Sequence, residues 1–313
     1  MIETRELRKS FKTRRGPAVE AVRGIDLDVA EGEIFGFLGP NGAGKTTTLR
    51  MLATLIEPDG GQATIAGADL RREPGEVRRR IGYVAQGGAT WDDSTAVEEL
   101  VLQARLYGVS KSEARARATR VLDAFQLSEY ADRKAKTYSG GQRRRVDIAL
   151  GIIHEPRLLF LDEPTTGLDP QSRAHMWDEI RRLRDEGMTV FITTHYLEEA
   201  DALCDRISIM DHGEIVASGT PASLKRSLAG EVVRVGLPLP AVAEASSVLS
   251  AYKVDVLEDG LRLHVEDGAS AIPDILRLLD ASGVPLTGIE LHRPSLDDVF
   301  LAKTGRSLRE SAE

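Results

Sequence analysis

The sequence predicts an α/β fold built on a largely parallel sheet, followed by a small α+β domain. Three observations carry this. Short apolar runs at Ile34–Leu38, Leu158–Leu161 and Val190–Thr193 alternate with helical stretches, as strands buried on both faces do. The first run leads directly into a glycine-rich turn, Gly39–Thr46, and then into a helical stretch. After about residue 230 the pattern becomes strand, helix, two strands, helix, strand. That is the order of a ferredoxin-like unit.

The elements follow in order. Ile34–Leu38 ends at Gly39-Pro40, and Thr46–Thr54 reads as the helix behind the turn. Between Ser94 and Lys136 apolar residues recur at helical spacing: Val97, Leu100, Val101 and Ala104, then Val121, Leu122 and Phe125. This stretch reads as a helical subdomain at about 90–140 within a first domain of 1–222. Pro221 and Gly230 bracket a linker. The second domain, 230–306, opens with a strand at Glu231–Leu237 and a helix at Ala241–Tyr252. Strands at Lys253–Leu257 and Leu261–Glu266 are joined at Asp259-Gly260, a type I′ hairpin signal. A helix at Ile272–Ala281 and a strand at Pro285–His292 follow. The tail reads as an amphipathic helix with Leu296, Val299 and Phe300 on one face.

Composition excludes several classes. The 313 residues suffice for about two domains with real cores. A net charge of −8 argues against a sequence-independent nucleic-acid binder, which needs a dominant basic face. Cys204 is the single cysteine, so no intrachain disulfide forms, and a reducing compartment is expected. No apolar run approaches the roughly 20 residues of a membrane span. The charged start Met1–Arg5 has no apolar signal region. A soluble chain is therefore expected, one able to dock on a membrane protein.

Gly39-Pro40-Asn41-Gly42-Ala43-Gly44-Lys45-Thr46 fits the phosphate-binding pattern G-x-x-x-x-G-K-[ST]. Glycines let the backbone wrap phosphates without a Cβ clash. Backbone N–H groups and the helix N-terminus then face the anion. Lys45 is expected on the β- and γ-phosphates, and the Thr46 hydroxyl on Mg²⁺. In Leu158–Glu163 four apolar residues deliver two acids to a strand end. Asp162 suits the Mg²⁺ shell, and Glu163, facing the other side of the strand path, suits the activation of water.

Upstream of that strand lies Tyr138-Ser139-Gly140-Gly141-Gln142-Arg143. With it the chain resembles the ATP-binding cassette (ABC) ATPases, whose signature is LSGGQ; Tyr138 departs at the most tolerant position. Other motifs follow in family order over about residues 1–220. Gln86 looks like the Q-loop glutamine, Gly167-Leu168-Asp169 like the D-loop, and His195 like the switch histidine. Phe11 resembles the aromatic that stacks on adenine, usually Tyr in the family. Arg143-Arg144-Arg145 reads as solvated or interface residues rather than a nucleic-acid patch.

The resemblance implies a P-loop ABC ATPase that binds ATP and Mg²⁺. Gly39, Asn41, Gly42, Gly44, Lys45, Thr46 and Thr47 would hold phosphates. Thr46, Gln86 and Asp162 would complete the metal environment. Glu163 would be the general base, and His195 would hold the γ-phosphate and water. Ser139, Gly140, Gly141 and Gln142 of the signature would close the site of a second cassette, giving two ATPs in a head-to-tail dimer of identical or paralogous chains, and Asp169 would also bind ATP. A separate integral-membrane permease is implied as partner, gripped near Gln86, Trp91 and Asp92, and no nucleic acid. The location implied is peripheral, on the cytoplasmic face of the membrane. Arg293–Arg306 is similar to the tail of the daunorubicin/doxorubicin-resistance ATPases, which power drug exporters. The alternatives are the ATPase of an importer or of a lipid or polysaccharide exporter, or a non-transport ABC protein. The last usually carries two cassettes or coiled-coil insertions, and this sequence has neither.

Overall fold

The computed structural model describes residues 1–12, 16–228, 230–257 and 259–306. They fall into two compact units, Met1–Pro221 and the residues from Ala222 onward.

The first unit contains two sheets. Val19–Val29, Ile2–Phe11, Gly60–Ile65 and Ala68–Asp69 form an antiparallel sheet in that spatial order. The second sheet has six strands: Glu214–Gly219, Arg206–Asp211, Ile34–Leu38, Thr189–Thr194, Leu158–Asp162 and Ile81–Val84. All its pairings are parallel except the edge pair formed by Glu214–Gly219. Every residue of Ile34–Leu38, Leu158–Asp162 and Thr189–Thr194 is buried, which is why these strands read as continuous apolar runs. Phe191 is a hub of the core, with Phe35, Phe37 and Phe160 at ring-centroid distances of 5.5–5.7 Å.

Four neighbouring parallel strands point the same way, so the segments leaving their C-terminal ends share one edge. Those segments carry Gly39–Lys45, His195, Glu163 and Gln86. Ligands of open α/β sheets bind at that edge.

The helical part comprises Ala96–Leu106 and Lys111–Ala124, two short turns at Ser128–Tyr130 and Ala135–Thr137, and the long helix Gly140–Ile152. Thr95 caps the first helix in a reciprocal box with Glu98, and Ser110 caps the second through the Glu113 amide. Each such cap contributes about 1 kcal/mol. Among the described residues no helix is long and apolar enough to cross a membrane.

The second unit has an antiparallel sheet ordered Lys253–Leu257, Gly260–Val265, Glu231–Gly236, Gly288–His292. Helices Val242–Val248 and Gly268–Ala281 connect its strands. This is the β-α-β-β-α-β pattern expected, with its own core around Val233, Val235, Leu261, Leu263 and Ile275. Several details differ from expectation. Pro221–Arg226 is helical where a linker is expected, the helix expected over Ala241–Tyr252 spans Val242–Val248, and the last strand starts at Gly288 rather than Pro285. Leu257 pairs with Gly260, so Gly260 lies in the strand rather than in the expected Asp259-Gly260 turn, and Glu258 lies outside the described residues. Gly260 is needed in the strand instead, because a Cβ there would sit 2.0 Å from the Val235 carbonyl oxygen. The second helix starts at Gly268, four residues early, because the Asp267 side chain caps it through the Ala269 amide. Leu296, Val299 and Phe300 of the final helix, Leu296–Thr304, are all buried.

Candidate active site

The turn after Ile34–Leu38 and the helix Lys45–Leu52 form one wall of the site. Gly44 caps that helix with φ +105°, and its first turn carries no acidic side chain. Its free N–H groups and dipole therefore present unopposed positive potential. A cleft of about 390 Å³ opens here, lined by Asn41, Gly42, Gly44, Lys45, Thr46 and Thr47, with Gln86 and Glu163 facing them. Lys45 is buried and donates to the carbonyl oxygens of Gly39 (2.6 Å) and Pro40 (3.0 Å). Burial lowers the pKa of its ammonium, opposed by the charges of Glu163 and Asp162.

The two acids have separate partners. Asp162 Oδ1 accepts from the hydroxyls of Thr46 (3.0 Å) and Thr193 (2.6 Å). Glu163 Oε2 accepts from Gln86 Nε2 (2.9 Å) and Thr166 Oγ1 (3.2 Å). Its Oε1 lies 3.3 Å from His195 Nδ1 and 3.9 Å from Lys45 Nζ. Burial pushes the Glu163 carboxyl up. The contact with His195, the Lys45 ammonium and the Thr166 hydroxyl together outweigh it and leave the pKa below its ordinary value. Glu163 also holds a left-handed backbone, φ 46°, a strained conformation for a long side chain. Its N–H is pinned by both the carbonyl and the hydroxyl of Thr193, each at 3.1 Å.

The signature residues stand elsewhere. Ser139 caps Gly140–Ile152 in a reciprocal box with Gln142, which leaves Ser139 and Gly140 exposed at a helix N-terminus. Asp169 caps Pro170–Asp185, accepting from the Ser172 amide (2.9 Å) and hydroxyl (2.7 Å). None of Ser139, Gly140, Gly141, Gln142 and Asp169 lines the cleft around Lys45. Phe11 does not line it either; it is 43% exposed, with Lys9 Nζ 5.6 Å from its ring centroid.

The arginine run is a correction. Arg144 is buried, and its guanidinium donates to the carbonyls of Ala85 (2.7 Å), Pro164 (2.8 Å), Asp162 (3.0 Å) and Glu163 (3.4 Å). It clasps the chain on both sides of the site. Arg143 pairs with Asp92, and Arg145 donates to Phe125 O. Asp147 was also missed: its Oδ1 accepts from the Ala89 and Thr90 amides and the Thr90 hydroxyl, holding the loop after Gln86. Glu199 is fully buried and joins Thr165 (2.7 Å) to Trp177 (3.0 Å). A buried arginine within three in a row, or a carboxylate holding residues far away in sequence, leaves no local pattern to find.

Comparison with known proteins now decides the family. The profile described as ABC transporter matches residues 22–166, and one described as the ATP-binding protein DrrA1-3-like, C-terminal domain, matches 219–304. The chain is 46% identical to the daunorubicin/doxorubicin resistance ATP-binding protein DrrA of Streptomyces peucetius, over all of this chain and 96% of that one. The chain belongs to the ABC transporter family of ATP-binding proteins. The likeness extends to other members of that ABC family. The linearmycin resistance ATP-binding protein LnrL of Bacillus subtilis is 37% identical, over 99% of this chain and 100% of that one. The dimeric post-hydrolysis state of the ATP-binding cassette MJ0796, bound to ADP and Pi, superposes with a TM-score of 0.65. It is 28% identical and covers 70% of this chain and 98% of its own. The ABC assignment makes the protein a nucleotide-binding ATPase.

Proposed function

We propose that this ABC ATPase is the motor subunit of a drug or antibiotic exporter, working as a pair of cassettes on a separate membrane permease at the cytoplasmic face of the membrane. The observation that carries the reading is the convergence of Lys45, Thr46, Asp162, Gln86 and Glu163 at one edge of the parallel sheet.

ATP phosphates lie along the turn from Gly39 to Thr47, with backbone N–H groups and Lys45 balancing their charge. The oxygen donors Thr46 Oγ1 and Asp162 fit Mg²⁺. Among the described residues no cluster of three His, Cys, Asp or Glu could hold a metal alone, and Mg²⁺ commonly shares its shell with substrate phosphates and one or two carboxylates. Mg²⁺ would neutralise charge on the β- and γ-phosphates. Glu163, kept ionised by its neighbours, takes a proton from the attacking water. His195 and Gln86 fix the carboxylate from two sides. Ser139 and Gly141, away from this chain's own cleft, supply donors to the ATP of the second cassette, so hydrolysis requires the pair.

A second cleft, about 400 Å³, lies beside the loop after Gln86 and is lined by Leu55, Val84, Trp91, Leu102, Leu106 and Tyr107. Trp91 is 66% exposed and Leu106 73%. An apolar groove with exposed aromatic and aliphatic rims suits a helix from the permease. The drug-resistance relatives support the cargo class.

The test is purification of a tagged chain from native membranes in mild detergent. An equimolar polytopic partner is expected, and inside-out vesicles holding the pair should accumulate an anthracycline with ATP. Absence of any membrane partner would sink the transport reading. A partner with ATP hydrolysis but no accumulation would sink the drug reading.

A further inference from the structure

We propose that Thr193 is a positioning residue for hydrolysis, holding both acids of the site through one hydroxyl. This rests on the reading of Asp162 as part of the Mg²⁺ environment and Glu163 as the base. Thr193 stands beside Asp162 in the pairing of adjacent parallel strands and is fully buried. The three residues before it, Val190, Phe191 and Ile192, are apolar, as a strand buried on both faces requires. A hydroxyl at such a place costs free energy unless it is paired. Here it is used twice. It donates to Asp162 Oδ1 at 2.6 Å and accepts from the Glu163 amide at 3.1 Å.

The two bonds fix different things. The first holds the Asp162 carboxylate in one rotamer. The other donor to that oxygen is Thr46, itself a proposed metal ligand, so Thr193 is the anchor that takes no part in ligation. The second bond joins the Thr193 carbonyl, which accepts from the same N–H at 3.1 Å, in holding the left-handed turn at Glu163 that aims its carboxylate toward Lys45 and His195. Residues that orient a ligating carboxylate in this way affect metal affinity and rate without touching substrate.

The experiment compares Thr193→Val, which keeps shape and loses the hydroxyl, with Thr193→Ser, which keeps the hydroxyl, in the full chain. Binding of a fluorescent ATP analogue is titrated with Mg²⁺, alongside binding in EDTA, thermal midpoint and kcat. Thr193→Val should raise the half-saturating Mg²⁺ concentration by about tenfold and lower kcat at saturating Mg²⁺ by about tenfold or more. Its nucleotide affinity in EDTA should match wild type, and Thr193→Ser should lie close to wild type throughout. An unchanged Mg²⁺ midpoint in Thr193→Val would overturn the proposal, as would Thr193→Ser being equally impaired. Should Thr193→Val not fold, Thr193→Ala is read by the same criteria. The base reading fails separately: Glu163→Gln turning over at the wild-type rate would remove it, while the Mg²⁺ midpoint still reports on Thr193 and Asp162.

Discussion

Gln86 Nε2 donates to Glu163 Oε2 at 2.9 Å, so the residue that begins the loop toward the apolar groove holds the carboxylate proposed as base. The two come from the ends of adjacent strands, Ile81–Val84 and Leu158–Asp162. Gln86 is exposed, whereas Glu163 is buried. One hydrogen bond thus links the loop beside the groove to Glu163.

Replacement of that carboxylate is the first test. Glu163→Gln keeps the shape and can still meet Gln86 and Thr166, so the fold and ATP binding should survive. Proton transfer is lost, and steady-state turnover should fall by about 10²-fold or more. ATP binding and phosphate release, measured on the same preparation, check both halves; turnover at the wild-type rate would remove Glu163 as base.

The pH dependence follows from the same contacts. The base must be ionised to act, and Glu163 has its pKa below the ordinary carboxylate value of about 4.3. Activity should thus show no Glu163 limb between about pH 5.5 and 8. Because the folded-state pKa is the lower one, the stability from these contacts is present above the unfolded value. It is lost as pH falls through the folded one. His195 is the leading neighbour that lowers the pKa. In His195→Ala burial is less opposed, so the acid limb of kcat/KM should move to higher pH as the overall rate falls. A profile of unchanged shape would show that His195 does not hold the carboxylate ionised.

How much was legible depended on distance along the chain. The phosphate turn is local: three glycines, a lysine and a threonine within eight residues, between a buried strand and a helix, state their own geometry. The acids at Asp162-Glu163 are marked by the apolar run before them. Arg144 is not marked, because its acceptors at Ala85 and Asp162–Pro164 lie 18–59 residues away, and beside Arg143 and Arg145 it looks solvated. Thr193 was hidden inside a strand, where its hydroxyl gains meaning only from the neighbouring strand's register. The hairpin of the second unit slipped by one residue for a related reason. Gly260 is demanded by the approach of Val235 on another strand, not by the turn.

Arg144 supplies a stability prediction. Arg144→Met matches much of the stem but removes the guanidinium donor from the carbonyls of Asp162 and Pro164, while Ala85 O keeps only the Gly88 amide. Bonds from a charged donor contribute more than neutral ones, and buried acceptors left unmet add to the loss. The variant should lose about 3 kcal/mol or more of unfolding free energy, read from the denaturant midpoint at unchanged slope. Arg144→Lys should recover only part, since one ammonium cannot reproduce a guanidinium that meets four carbonyls. A Met variant as stable as wild type would mean that those carbonyls find water instead.

Two glycines of the phosphate turn separate strain from collision. Gly42 has φ +79°, and a Cβ added there would meet nothing within 4 Å. Gly42→Ala should therefore cost only the left-handed conformation, about 1–2 kcal/mol, lowering the thermal midpoint by a few degrees. Gly44 has φ +105°, and its Cβ would sit 2.3 Å from the Ala21 carbonyl oxygen and 2.7 Å from Met210 Cε. The methionine end can move, but the Ala21 carbonyl belongs to the strand Val19–Val29. Gly44→Ala must displace that strand or the N-terminus of Lys45–Leu52, and the second choice removes the N–H groups from the phosphates. Its midpoint should fall further than that of Gly42→Ala, with ATP affinity falling alongside. Equal midpoints for the two variants would mean that the turn shifts freely against the strand, and that the close packing of Gly44 does not hold the phosphate site in place.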